Sequence, residues 1–173
     1  LGTVLPETMN KYAKRAAERY PRKRLLVHYI QPHYPFISEE TEADKGHIDD
    51  PNSGFNIWNQ LMNGDLDHAE TVIESYYENL DYVMSAVEEL LKYLEGKTVV
   101  TSDHGNMLGE RAFPFPIREW GHPRGLYTDH LTKVPWHIYE NGNRKTIEEG
   151  SNEEWGQEAS KTVETRLEQL GYT

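Results

Sequence analysis

The sequence predicts an α/β domain, and three observations carry that prediction. Short apolar or β-branched runs bounded by turn residues recur at residues 25–30 (LLVHYI), 98–101 (TVVT) and 134–139 (VPWHIY). Longer stretches with apolar residues at helical spacing alternate with them, above all residues 65–95. That long stretch delivers the chain directly into the run at Thr98, the pattern of a right-handed crossover between parallel strands.

Taken in order, residues 1–20 read as a helix. Pro6 suits its first turn, Glu7 favours its positive end, and Met9, Tyr12, Ala13, Ala16 and Tyr20 fall near one face before Pro21 stops it. Residues 25–30 are nearly continuously apolar, as a strand buried on both faces should be. They run into Gln31-Pro32-His33-Tyr34-Pro35-Phe36, where two prolines stiffen the loop around His33. Residues 38–64 have no consistent period and read as an insertion or lid, with Phe55, Ile57, Trp58, Leu61 and Met62 forming a short helix that packs it down.

Residues 65–95 carry the clearest stripe: Leu66, Ala69, Ile73, Tyr76, Leu80, Val83, Val87, Leu90 and Leu94. Asp65 reads as its N-cap and Gly96 as its C-cap. After Thr101 comes Ser-Asp-His-Gly, then a loop containing Pro114, Pro116, Gly121, Pro123 and Gly125. Ser151 and Glu154 form a capping box for a last helix with Trp155, Ala159, Val163, Leu167 and Leu170 inward.

Composition bounds the function. The 173 residues suffice for a single domain over residues 1–173 with a modest core, since 36% are hydrophobic. There are 29 acidic and 18 basic residues, a net charge of -11, which disfavours nucleic acid and anionic membrane as partners. The absence of cysteine excludes disulfides, thiolate metal sites and a cysteine nucleophile within the chain. No apolar run approaches the roughly twenty residues of a membrane span, and no signal-peptide pattern is present. The cytoplasm is therefore favoured as the location. Self-association is left open.

Four groups stand out as chemistry: His33, the pair Asp103-His104, and His122 between Gly121 and Pro123. Each lies in a loop after a strand or in a turn rich in glycine and proline. Imidazole and carboxylate together suit a divalent ion such as zinc or manganese, and the Gly105 turn lets two adjacent residues face one ion. Two ligands are too few to close a site, so others must come from elsewhere. Each signal alone has a plainer reading: Asp103 as a strand-ending cap, His33 and His122 as packed or solvated loop residues. His28 reads as a core histidine, and His47, His68, His130 and His137 as packing or surface residues.

The order of these segments resembles the C-terminal half of the sulfatase family, within the alkaline phosphatase superfamily. The matching pieces are LLVHYIQPHYPF, the stretch YYENLDYVMSAVEELLKYLEGKTVVTSDHGNMLGE, the segment GHPRGLYTDHLTKVP and the closing RLEQLGYT. The resemblance implies the C-terminal part of an alkaline phosphatase-like α/β/α sandwich, its sheet mixed or mostly parallel and flanked by helices. It implies that Asp103 and His104 bind one catalytic divalent cation, whether calcium, manganese, magnesium or zinc. His33 then touches the sulfate or phosphate group near the leaving oxygen, while His122, with Arg124, neutralises the same anion. The implied substrate is a small-molecule or carbohydrate sulfate or phosphate ester, cleaved through a covalent intermediate.

The departures from the family pattern are equally specific. The family's nucleophile and its early pair of aspartates have no counterpart before Leu25, and Asp49-Asp50 follows the His33 loop rather than preceding it. The sequence therefore reads as a C-terminal fragment, inactive by itself. Two alternatives stay open: the phosphatase, phosphodiesterase or phosphotransferase branch of the same superfamily, or a non-catalytic half-domain serving structure or interaction.

Overall fold

A computed structural model describes residues 3–37, 57–114 and 116–149. Helix α1 (Pro6–Arg19) begins at a proline whose missing N–H is not needed there, and carries Glu7 in its first turn and Arg19 in its last. Its buried face is Pro6, Asn10, Ala13 and Ala17, so it is rotated from the expected stripe, and Tyr12 and Tyr20 are exposed. The reason is Asn10: its amide donates to the carbonyl of Ala86 at 2.8 Å, and the Tyr29 hydroxyl donates to its Oδ1 at 2.5 Å. A buried polar group with both ends satisfied can outcompete an apolar alternative for the interface.

The run at residues 25–30 pairs with no strand among the described residues, so the expected strand is absent from the ladders. Its side chains alternate instead: Tyr29 packs against the cluster Val83, Val87 and Leu91, whereas Leu26 is almost fully exposed. An apolar run is compatible with a strand, but only a neighbouring ladder makes it one.

Residues 38–56 lie outside the described residues, so the expected insertion is represented only by helix α2 (Ile57–Asn63) and the turn after it. Ile57, Trp58 and Leu61 are buried there while Met62 is exposed. Helix α3 (Ala69–Tyr93) is shorter than the expected 65–95 and runs about 38 Å. His68, not Asp65, is its N-cap, and Leu94, not Gly96, is its C-cap. The last carbonyls are satisfied from another element, because the Asn141 amide donates to Lys92 and Leu94 at 3.0 and 3.1 Å. Its buried face holds Val83, Val87 and Leu90 as expected, but also Val72, Ser75, Asn79, Ala86 and Leu91.

Strand β1 (Gly96–Thr101) follows α3, and β2 (Met107–Ala112) and β3 (Ile117–Gly121) then form an antiparallel hairpin. The hairpin falls where a loop was expected. Pro114 and Pro116 interrupt only the connection between the strands, and Gly109 sits in an irregular step between Leu108 and Arg111. Gly109 has φ +96°, and any Cβ there would come 2.8 Å from the Trp120 ring, so the glycine marks a bulge rather than a break. A short helix α4 (Asp129–Thr132) precedes β4 (Trp136–Asn141).

Helices and strands combine as the α/β class requires, but the pairings differ from the expected parallel crossover. β1 pairs antiparallel with β4, Val99 opposite Ile138, and β2 pairs antiparallel with β3. The hydrogen bonds of β1 are taken by β4, the strand that follows it after the hairpin and α4. Two cores result. Phe36, Ile57, Trp58, Leu61, Val72 and Trp120 make one, and Val83, Val87 and Leu91 the other, with α3 contributing to both. The expected final helix lies in residues 150–173, outside the described residues.

Candidate functional site

The His33 loop, the turn after β1 and the turn after β3 meet at one place. The His104 and His122 ring centroids are 4.4 Å apart, and His33 lies 6.2 Å from His122. Asp103 adjoins them, its Oδ2 lying 3.8 Å from His104 Nε2. The structure thus brings together His33, Asp103, His104 and His122. Arg124 stands exposed in the turn two residues beyond His122.

Each ring is fixed by its own surroundings. His33 Nδ1 shares a hydrogen bond with the carbonyl of Tyr34; with Nδ1 as donor, Nε2 is left to act as an acceptor. The same tyrosine stacks on the ring with centroids 4.4 Å apart. From behind, the Asn79 amide of α3 donates to the His33 carbonyl at 3.2 Å. Asn79 is almost completely buried and its Oδ1 has no hydrogen-bond partner among the described residues, so a polar side chain occupies the apolar face of α3 where it meets this loop. Burial holds the His33 pKa below its usual 6.5, the nearby His104 adds to that effect, and the Tyr34 carbonyl and Asp103 oppose it.

His104 bonds through Nδ1 to the carbonyl of Gly105 at 2.7 Å, and its backbone N–H donates to Asp103 Oδ1 at 3.0 Å. With Nδ1 as donor, His104 Nε2 and the Asp103 carboxylate are turned toward each other. The turn itself is pinned against α4: the Gly105 N–H donates to the Leu131 carbonyl at 2.9 Å. A Cβ at residue 105 would lie 1.9 Å from the His130 carbonyl oxygen, so only glycine fits. The Thr128 hydroxyl donates to Met107 Sδ at 3.3 Å and ties the same segment to the start of β2. His122 is also held below its usual pKa, first by desolvation and then by His104 and His33. It keeps a solvent-exposed surface, so burial grips it less firmly than His33.

The donor set can be tested against a divalent ion. Two donors on one such ion lie roughly 3–4 Å apart for bonds of about 2.0–2.6 Å. The 3.8 Å between Asp103 and His104 meets that requirement. The orientation of His104 by a backbone carbonyl is the usual support for a ligating imidazole. The pair is still only part of a coordination sphere: among the described residues, no group of three or more His, Asp or Glu is placed to hold an ion.

Several contributors were not visible in the sequence reading. Asn79 was hidden because the stripe was drawn through its apolar neighbours; the signal was the polar interruption at Ser75 and Asn79. Tyr34 and the α4 brace on Gly105 left no pattern in the sequence. Of the other histidines, His130 Nδ1 lies 3.9 Å from Glu110 Oε1, outside the cluster. No helix among the described residues is long and apolar enough to cross a membrane.

A family model described as Sulfatase matches residues 4–166, nearly the whole chain. No curated protein and no solved structure matches.

Proposed function

The chain belongs to the sulfatase family, and from that premise we propose that its histidine cluster forms part of a metal-dependent site hydrolysing sulfate monoesters. The observation that carries this reading is the convergence of His33, His104 and His122 beside Asp103 from three separate stretches of chain. Asp103 and His104 would hold the divalent cation, which when bound offsets charge on the ester oxygens. The remaining metal donors, like the nucleophile, come from outside the cluster.

The chain's own residues then act on the anion. His33 presents Nε2 toward the ester while Tyr34 keeps the ring from turning and Asn79 holds the backbone that carries it. In its protonated form that nitrogen donates to the leaving oxygen. His122 and Arg124 supply donors and positive charge to the non-bridging oxygens, which gain charge as the ester bond breaks. Donors already held in place need no reorganisation at that moment, which is the source of their effect on rate.

Two experiments test the proposal. Calorimetric titration of the chain with manganese, zinc and calcium should show weak binding that Asp103→Ala abolishes; equal binding by both forms would remove Asp103 as a ligand. The intact gene product should hydrolyse aryl sulfates, and His33→Ala should reduce kcat. Faster turnover of the matching aryl phosphate would move the assignment to the phosphate-cleaving branch of the superfamily. Turnover of neither ester would favour a non-catalytic module.

A further inference from the structure

The loop that carries His33 is not held by a sheet. Residues 25–30 lead into it, and among the described residues they pair with no strand. Within the loop the His33 N–H donates to the Ile30 carbonyl at 3.0 Å, a bond that closes the turn but ties it to nothing else. Its attachment to the domain falls to side chains. Ahead of the loop, the Tyr29 hydroxyl donates to Asn10 of α1 at 2.5 Å. Gln31 Nε2 donates to Thr3 Oγ1 at 3.1 Å and to the Val4 carbonyl at 3.0 Å. The His33 carbonyl accepts from Asn79 of α3 at 3.2 Å. The loop is thus gripped by the segment that enters α1 and by α3. Those two helices are themselves joined, because the Asn10 amide donates to the Ala86 carbonyl.

Gln31 and Asn79 share a second property. Both are buried, at 5% and 2% exposure, and Gln31 Oε1 and Asn79 Oδ1 have no hydrogen-bond partner among the described residues. A buried acceptor left unmatched costs stability, and an apolar side chain of similar shape would avoid that cost. Both amides instead spend their N–H groups on fixing this loop. Local rules are broken where function requires it, and here the break falls twice on the mount of one imidazole.

We infer that Gln31 is a positioning residue for the reaction, tying the His33 loop to the segment before α1 so that Nε2 stands where the leaving oxygen takes its proton. This rests on the hydrolase reading given above. Gln31 acts through His33 rather than on the ester, since its oxygen is buried and its donors are taken by Thr3 and Val4. A displacement of about an ångström at a catalytic group costs on the order of 100-fold in rate.

The test compares the intact gene product with its Gln31→Met variant, in which a side chain of similar length lacks the donor. Two esters separate the effects: 4-nitrophenyl sulfate, whose leaving group departs readily as the anion, and phenyl sulfate, whose leaving group depends more on a proton. For phenyl sulfate kcat should fall about 10–100-fold with KM little changed, and for 4-nitrophenyl sulfate less than about threefold. In a His33→Ala background Gln31→Met should remove nothing further. The melting temperature should hold or rise. An equal fall for both esters, or a further loss in the His33→Ala background, overturns the inference. So does a lowered melting temperature or a variant that does not fold, because Gln31 would then support the domain rather than the ring. If the wild type hydrolyses neither ester, the hydrolase reading fails by itself, and NMR still decides the grip: His33 ring resonances and contacts with Tyr34 left unchanged by Gln31→Met refute it.

Discussion

Replacing Gly105 with alanine should damage the site more than any other single methyl group. The added Cβ would sit 1.9 Å from the carbonyl oxygen of His130, where no closer than about 3.0 Å is tolerated, and the obstacle is backbone. The turn must therefore withdraw from α4 by at least an ångström. It then gives up the Gly105 N–H bond to Leu131, worth about 1 kcal/mol, and accepts overpacking strain of about 1–3 kcal/mol. The expected loss is about 2–4 kcal/mol, a large share of the ~5–15 kcal/mol that holds a typical domain together. Because His104 Nδ1 bonds to the carbonyl of residue 105, the same shift turns the imidazole, and cation affinity should fall about 10–100-fold. Urea unfolding followed by tryptophan fluorescence measures the first effect and calorimetric titration the second. Gly142→Ala serves as the control: φ is +72° but nothing lies within 4 Å, so its cost is only the left-handed backbone, about 1–2 kcal/mol. A Gly105→Ala protein no less stable than the Gly142→Ala form would refute the argument that α4 braces this turn.

Other consequences follow from the same geometry. In NMR titration the His33 ring should protonate below pH 6.5; since the unfolded chain takes up that proton first, this residue's contribution to stability is lost as pH falls below about 6.5, and a midpoint above 6.5 would contradict its burial. Tyr29 behaves in the opposite sense. Its hydroxyl, pushed up to about 12 mainly by burial with Glu89 adding to it, favours the fold below pH 10 and loses that effect as pH rises toward 12, so Tyr29→Phe should flatten the alkaline limb of a stability–pH curve. Asn79→Ala should cost about 1–2 kcal/mol in chemical denaturation and move the His33 ring resonances, because it removes the donor to the His33 carbonyl. Trp120→Ala should cost about 3–5 kcal/mol and loosen the hairpin; unchanged hydrogen-exchange protection of β2 and β3 would argue against this packing.

Much of this was legible in the chain, in an uneven way. Helix α3 announced itself because apolar spacing sustained over many turns has few other meanings. Leu66, Ala69, Ile73, Tyr76 and Leu80 of its stripe pack against the two cores as expected, but spacing cannot say that Ser75 and Asn79 are buried beside them, or that a loop backbone waits there for the Asn79 amide. The hairpin was missed because Pro114, Pro116 and Gly109 count as breakers until their places in a connection and a bulge are known. Residues 25–30 show the converse error: apolar and β-branched composition permits a ladder but does not provide the partner. Within the site, residue types and their place in turns rich in glycine and proline singled out His33, Asp103, His104 and His122, which the fold brings close to one another. The nearness of His104 to His122 across 18 positions of sequence depends on strand register, which no local pattern encodes.

That dependence on register imposes a parity rule on the length of the hairpin. Residues can be removed from β2 and β3 in matched opposite pairs, or the connection between them exchanged, and the two imidazoles still return to the same meeting point. Removing one residue from a single strand would reverse every side chain beyond it and send one ring to the far face. Length variation in this part of the chain is thus permitted in even, paired steps, and the tip beyond Ala112 and Ile117 offers a place to insert a reporter without disturbing the histidines at its base.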